Sequence, residues 1–296
     1  MKRVFFLVGP TAVGKTELAA EVAARLGADV ISADAFQIYR GFDLLTAKPD
    51  SATLAKAPHH LIGVVPLSEP MDAEKYRDRA ENIIARGKPV IVVGGTGLYV
   101  KALTHGLADL PGADENLRMK LEQASNVELF RSLRALDPEA SEKVDRHNRR
   151  RLVRAVEVCL LTGKPFSRQR VGWGKETPMN GVLIYRERDE LYARINQRVE
   201  EMFRAGVVDE VRAAADVGPT AEKTLGLAEI RALIAGQITQ AECIGRIQQA
   251  TRRYAKRQLT WFRGQINFPL LNLSAHRPAE AVELISQNAS RAFAPG

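Results

Sequence analysis

Cysteine is scarce in this chain of 296 amino acids, which has only Cys159 and Cys243. Neither stands in a CxxC pair. A cysteine tetrad for zinc is therefore excluded, and so is a disulfide scaffold. Their apolar, helical surroundings read as buried free thiols in a reducing compartment. Long apolar runs are missing as well: nothing approaches the roughly 20 residues of a membrane-spanning helix. The opening MKRVFFLVGP starts like a signal peptide, but its apolar part is short and runs into a glycine-rich loop. The expectation is a cytoplasmic protein, monomeric, with no membrane partner. Internal repeats and low-complexity segments are absent too. Acidic residues are under-supplied: 43 lysines and arginines against 35 acids leave a net charge of +8. That balance suggests a polyanionic partner, nucleic acid first, although dispersed surface charge gives the same sum.

What is present begins with VFFLVGPTAVGKTELAAEVAARLG, residues 4 to 27. The apolar run 4–8 suits a buried strand. GPTAVGKT follows, comprising Gly9, Pro10, Thr11, Ala12, Val13, Gly14, Lys15 and Thr16, which is the spacing of a phosphate-binding loop. Its glycines let successive backbone N–H groups turn inward on an anion, Lys15 adds a positive charge, and Thr16 offers a hydroxyl to a magnesium ion. Leu18, Val22 and Leu26 recur at helical spacing, so the positive end of a helix faces the same anion. Such loops usually hold ATP or GTP.

One residue that a nucleotide hydrolase needs is not where it belongs. An apolar strand should end in an acid that holds magnesium opposite the loop, but PVIVVGGTG (89–97) ends in glycines and Thr96. The acid at a strand end is instead Asp34, in ADVISADAFQIYRGFDLLTAKP. Ligands of doubly wound sheets sit at the carboxyl ends of strands, so Asp34 should face whatever lies beside the phosphate loop. A helix cap or turn former is the competing role. Gln37, Tyr39, Thr46 and Lys48 crowd the loop that follows, and all can hydrogen-bond a ligand.

The alternation of apolar strands with helical stretches predicts a doubly wound, mainly parallel α/β sheet containing the phosphate loop, with a helical insertion. Residues 1–106 form the first part of that core. Residues 107–180 are nearly all helical in pattern and are the insertion. Residues 181–296 complete the core with a strand at 181–189, two long helical stretches at 189–216 and 240–265, and a weakly patterned end.

GPTAVGKT, SADAFQIYRGFDLLTAKP, HHLIG, VGGTGLYVKAL, RRLVRAVEV and TRRYAKRQLTWFR, in this order from about 3 to 265, together resemble the bacterial tRNA dimethylallyltransferases. The phosphate loop alone is unspecific; the combination is not. The resemblance implies that the loop holds the diphosphate of dimethylallyl diphosphate, with Mg2+, rather than a nucleotide. It implies alkyl transfer to N6 of an adenine beside the anticodon of tRNA. No γ-phosphate is attacked, which accounts for the missing acid. Asp34 then accepts the amino proton, and Thr96 stands beside the reacting carbon and the leaving oxygen. Contacts to the anticodon stem-loop are implied for Asp34, Ala35, Phe36, Gln37, Thr96, Arg118, Arg150, Arg151, Leu152, Val153 and Arg154. The adenine must leave its stack to reach the site. For Arg150, Arg151 and Arg154, surface pairing with Glu142 or Glu157 is the bland alternative. In TRRYAKRQLTWFRG, Tyr254, Leu259 and Phe262 recur at helical spacing and read as partly core.

Two departures stand out. The family usually has serine after the acid, where this chain has Ala35, and an aromatic and a basic residue where it has Leu227 and Ala228. Three rival functions share part of the pattern: a small-molecule kinase, an isopentenyltransferase acting on free AMP or ATP, and a non-enzymatic RNA-binding module. The insertion and its arginines favour a polynucleotide acceptor.

Overall fold

Val4–Val8 (β1) is apolar at every position and buried at every position, which is the signature of a strand covered on both faces. The computed structural model, which describes residues 3–108, 110–169 and 180–294, builds a six-stranded sheet around it. The strands are β1, Asp29–Ser32 (β2), His59–His60 (β3), Val90–Gly94 (β4), Asn180–Tyr185 (β5) and Leu270–Asn272 (β6), in the order β3-β2-β4-β1-β5-β6. Every pairing is parallel. The doubly wound parallel sheet expected from the sequence is therefore present. The two edge strands, β3 and β6, have too few residues to carry a period and were not expected.

Fourteen helices accompany the sheet among the described residues. Lys15–Leu26 (α1), Ser51–Leu54 (α2), Ala73–Ile84 (α3) and Gly97–His105 (α4) precede the insertion. Glu115–Gln123 (α5), Asn126–Leu136 (α6), Pro138–Lys143 (α7), Arg149–Thr162 (α8) and Phe166–Gln169 (α9) lie in it. Arg188–Arg204 (α10), Val207–Ala213 (α11), Leu227–Ile234 (α12), Gln240–Gln265 (α13) and Pro278–Phe293 (α14) follow β5. The chain divides into two compact units, 1–104 with 178–296, and 105–177.

In the sheet unit, Phe5 and Leu7 pack with Leu18 and Val22 of α1 and Val282 and Ile285 of α14. Phe6, on the other face of β1, stacks on Phe268 at 5.9 Å between ring centroids. A second cluster joins Phe42 and Leu45 to α10–α13. Two sequence expectations need correcting here. The stretch 189–216 is not one helix: Gly206, with φ 96°, separates α10 from α11. The end of the chain is not weakly structured, because α14 buries Ala281, Val282, Ile285, Ala289 and Phe293, and its alanines understate that stripe in the sequence. Cys159 and Cys243 are both buried and free. Among the described residues no helix is long and apolar enough to cross a membrane.

The insertion unit has its own core, formed by Leu129, Leu133, Leu152, Val153 and Val156. Helices α5, α6 and α8 begin on side-chain caps: Asp114 accepts from Leu117 N–H, Ser125 and Glu128 form a reciprocal capping box, and Asn148 accepts from Arg151 N–H.

Candidate functional site

The phosphate loop is held from outside by basic and polar side chains of later elements. Gly14, with φ 99°, precedes α1, and Gly9 lies so close to β5 that a Cβ there would sit 2.5 Å from the Ile184 carbonyl oxygen. Arg186 donates to Val13 O (3.0 Å), Arg194 to Ala12 O (2.9 Å) and Arg198 to Thr11 Oγ1 (2.9 Å). Thr11 N–H donates to Gln258 Oε1 at 2.8 Å. Lys15 Nζ donates to Pro10 O at 2.6 Å. Burial pushes the Lys15 ammonium down to about 8, against the opposing pull of Asp34. Burial likewise lowers Arg198, again opposed by Asp34. These two cations thus have the nearby carboxylate as a partner in charge.

A cavity of about 290 Å³ opens between the loop and the end of β2, lined by Thr11, Lys15, Thr16, Asp34, Gln37, His59, Arg194 and Arg198 among others. Asp34 Oδ1 accepts from Phe36 N–H (2.9 Å) and Gln37 N–H (3.2 Å). The turn-forming role and a place in the cavity therefore coexist, one oxygen serving the turn. Thr96 is not among the cavity-lining residues. Its Oγ1 accepts from Ala35 N–H at 2.9 Å, and its own N–H reaches Ala33 O at 3.1 Å. The hydroxyl thus fastens the Asp34 loop rather than capping α4.

The polar residues after Asp34 make hydrogen bonds within their own loop, and two of them, Gln37 and Thr46, also line the cavity. Gln37 Nε2 donates to Ala47 O (3.0 Å) and Thr46 O (3.3 Å). Thr46 Oγ1 donates to Phe42 O, and Lys48 Nζ donates to Tyr39 O and Asp43. Tyr39 is fully buried. A loop of this length has many carbonyls to satisfy, and these side chains are the nearest donors.

Within the insertion unit, Glu157 is fully buried on α8. It accepts from Arg118 Nη2 (3.0 Å), Arg154 Nη1 (2.6 Å) and Asp114 N–H (3.0 Å). Burial raises its pKa, but the hydrogen bonds outweigh that and hold the carboxyl below its ordinary value. Arg154 Nη2 also donates to Pro111 O at 2.6 Å. Arg118 and Arg154 are thus engaged by a buried carboxylate; the pairing alternative puts Arg154 with Glu157 on the surface and does not include Arg118. The side chains of Leu152 and Val153 are in the core, because the helix turns its apolar stripe inward, so they are not placed to touch a ligand. Arg150 and Arg151 are exposed.

A family model described as IPP transferase matches residues 37–265. The tRNA dimethylallyltransferase 1 of Citrifermentans bemidjiense is 43% identical over 271 residues, covering 88% of this chain and 89% of that protein. The tRNA dimethylallyltransferase of Akkermansia muciniphila is 41% identical over 262 residues, with coverages of 87% and 89%. This chain belongs to the IPP transferase family. The solved tRNA isopentenylpyrophosphate transferase of Bacillus halodurans superposes on it with a TM-score of 0.70 at 34% identity, covering 99% of this chain and 98% of that one. A eukaryotic dimethylallyltransferase crystallised in the course of acting on tRNA gives a TM-score of 0.77 at 25% identity, covering 92% of this chain and 74% of that one.

For this IPP transferase the structure adds residues that sequence reading did not single out. Arg194 and Arg198 stand one helical turn apart on α10, and only their separation in sequence from the loop hid them. His59 was quoted within a motif without a role. It lines the cavity, its Nδ1 bonds Ala57 O at 2.7 Å, and its Nε2 is buried with no hydrogen-bond partner.

Proposed function

We infer that this chain transfers a dimethylallyl group from dimethylallyl diphosphate to N6 of an adenosine next to the anticodon of tRNA, releasing diphosphate. The observation that carries this reading is one cavity faced by both the phosphate loop with Lys15 and the strand-end Asp34. An alkyl transfer needs a cationic cradle for the leaving group and a base for the nucleophile, and the chemistry of Lys15 and Asp34 suits these two roles.

In the reaction the N6–carbon bond forms as the carbon–oxygen bond breaks. The electron pair of the broken bond leaves on the diphosphate, and the amino proton goes to the Asp34 carboxylate. Lys15, Arg194, Arg198 and the loop amides meet the charge that grows on the diphosphate. Asp34, with one oxygen tied to its own turn, is oriented as the proton acceptor. Thr96, which does not line the cavity, is assigned to holding the Asp34 loop in place through its bond to Ala35 N–H. Ala35 in place of serine removes one hydroxyl from this neighbourhood.

Among the described residues no cluster of three His, Cys, Asp or Glu could hold a metal alone. The donor at hand, the Thr16 hydroxyl, suits a magnesium ion that completes its shell with water and diphosphate oxygens. Such an ion would supply further positive charge to the leaving group.

On the insertion, Arg150 and Arg151 are assigned to the backbone of the anticodon stem-loop, with residues 107–180 as the RNA-binding part. Arg118 and Arg154 are assigned instead to holding Glu157. Phe36 and Gln37 lie on the loop after Asp34, where an extruded base would pass. The protein is proposed to act as a cytoplasmic monomer.

The test is an incubation of the protein with dimethylallyl diphosphate, magnesium and an adenine-containing anticodon stem-loop, read by mass spectrometry. Addition of one dimethylallyl group to the stem-loop, with little transfer to free AMP or ATP, is expected. Preferential modification of free nucleotide, or ATP turnover with a small acceptor, would replace this reading with one of its rivals.

A further inference from the structure

The Gln258 side chain on α13 spans two loops that the proposed reaction uses for different purposes. Its Oε1 accepts from Thr11 N–H in the phosphate loop at 2.8 Å, and its Nε2 donates to the Gly95 carbonyl in the glycine turn at 2.8 Å. The residue is 6% exposed. Both partners are backbone groups, so the amide reads the position of the chain itself. The approach is close: a Cβ on Gly95 would lie 2.2 Å from Gln258 Nε2, and one on Gly97 would lie 2.3 Å from the Trp261 ring, a turn further along the same helix. Gly95 and Gly97 are thereby explained as the space into which α13 descends.

The far side of the turn is bonded to the loop that carries Asp34. Thr96 Oγ1 takes the Ala35 N–H, and Thr96 N–H goes to Ala33 O. A continuous path of hydrogen bonds and short backbone steps therefore runs from Thr11 through the Gln258 amide, Gly95 and Thr96 to Asp34. The two ends of this path carry the diphosphate cradle and the base.

We propose that Gln258 is a positioning residue for the transfer: its amide fixes the spacing between the phosphate loop and the Asp34 loop. The proposal rests on the function inferred above. In a displacement the nucleophilic nitrogen, the carbon and the departing oxygen must lie in line, and a misplacement of about 1 Å costs roughly 10²-fold in rate. An amide offers an acceptor to one loop and a donor to the other whatever the pH. A methionine offers neither. A glutamate keeps the acceptor and, when ionised, sets an oxygen against the Gly95 carbonyl; when protonated, it can donate there again.

Single-turnover prenylation of the stem-loop should be compared among wild type, Gln258→Met and Gln258→Glu, alongside thermal melting and calorimetric binding of dimethylallyl diphosphate. Gln258→Met is expected to lose about 10²-fold in the single-turnover rate while still binding the diphosphate substrate. For Gln258→Glu, the rate relative to wild type at each pH should climb as pH falls, because burial raises the pKa of the introduced acid and its protonated form restores the donor. Dividing by the wild-type rate at the same pH removes pH effects common to both proteins. A wild-type rate in Gln258→Met overturns the proposal. So does a relative rate for Gln258→Glu that is flat with pH, and this second variant decides the matter if the methionine variant does not fold. No product from wild type itself would overturn the inferred function and this role with it. Product from wild type with an undiminished Gln258→Met rate would overturn the role alone.

Discussion

Arginines crowd both units of this protein, and one pair in each is used in opposite ways. In the sheet unit, Arg194 and Arg198 donate to neutral acceptors of the phosphate loop, Ala12 O and Thr11 Oγ1. In the insertion unit, Arg118 and Arg154 donate to a carboxylate, Glu157. A neutral acceptor orients a guanidinium and leaves its charge for an anion. A carboxylate acceptor orients it and cancels the charge. Availability of positive charge is therefore set by the acceptor rather than by the count of basic residues, and the net charge of +8 says little about where a polyanion docks.

The comparison breaks most severely at the carboxylate of the sheet unit. Asp34→Ala should lower transfer by about two to four orders of magnitude, with dimethylallyl diphosphate and stem-loop still bound. Near-normal turnover would remove Asp34 from the chemistry.

Lys15→Ala comes next. Loss of one donor at a developing charge costs roughly 10²- to 10³-fold in rate, and diphosphate affinity should fall while RNA affinity stays. The wild-type enzyme carries a matching pH signature. Lys15 loses its proton near pH 8, so affinity for the diphosphate substrate should decline as pH rises through that value. The decline should be absent in Lys15→Ala. Calorimetry across pH 6.5 to 9.5 checks both (about the range the titration requires).

Glu157→Gln probes the other unit. Breaking a fully buried pair typically costs about 3–5 kcal/mol. Here the Arg118 and Arg154 side chains are 42% and 29% exposed and can be rehydrated, so we expect about 2 kcal/mol, read from denaturant unfolding. The sign of the pH dependence follows from the lowered carboxyl pKa. The stabilisation is present above the unfolded-state value and is lost as pH falls through the folded one. An unchanged unfolding curve would make the triad ornamental.

The smallest effect sharpens the comparison instead of breaking it. Arg150→Ala with Arg151→Ala should leave stability nearly untouched and flatten the salt dependence of stem-loop binding by roughly 1.5 to 2 in log–log slope. Arg154→Ala should do the reverse, lowering stability and sparing most of the slope. Identical slopes in the double variant and wild type would send the RNA elsewhere on the surface.

The sequence made legible what is local. Strand β1, the loop and α1 are contiguous, so one stretch of 24 residues carries the whole device. Asp34 was legible because it closes an apolar strand. What the sequence concealed is held across long chain distances: Arg198 meets Thr11 across 187 positions and Gln258 meets it across 247. No spacing rule connects such residues. The Arg154–Glu157 contact was anticipated as one option, since three positions on a helix are neighbours, but the burial that makes it strong comes from packing. Leu152 and Val153, expected at the RNA through their neighbours, were drawn inward by the same packing.

The order of strands in the sheet has a consequence for how the protein is made. β5 pairs directly with β1, yet residues 105–177 are translated between β4 and β5. At 5–20 residues per second, that interval lasts on the order of 4 to 15 s. Throughout it, the apolar strand Val4–Val8 waits on the nascent chain with one edge unpaired. An unpaired apolar edge invites association with other chains. A ribosome pause within the insertion would lengthen that exposure, whereas one after β5 has emerged would not, so synonymous codon changes in the two places should differ in yield of soluble enzyme.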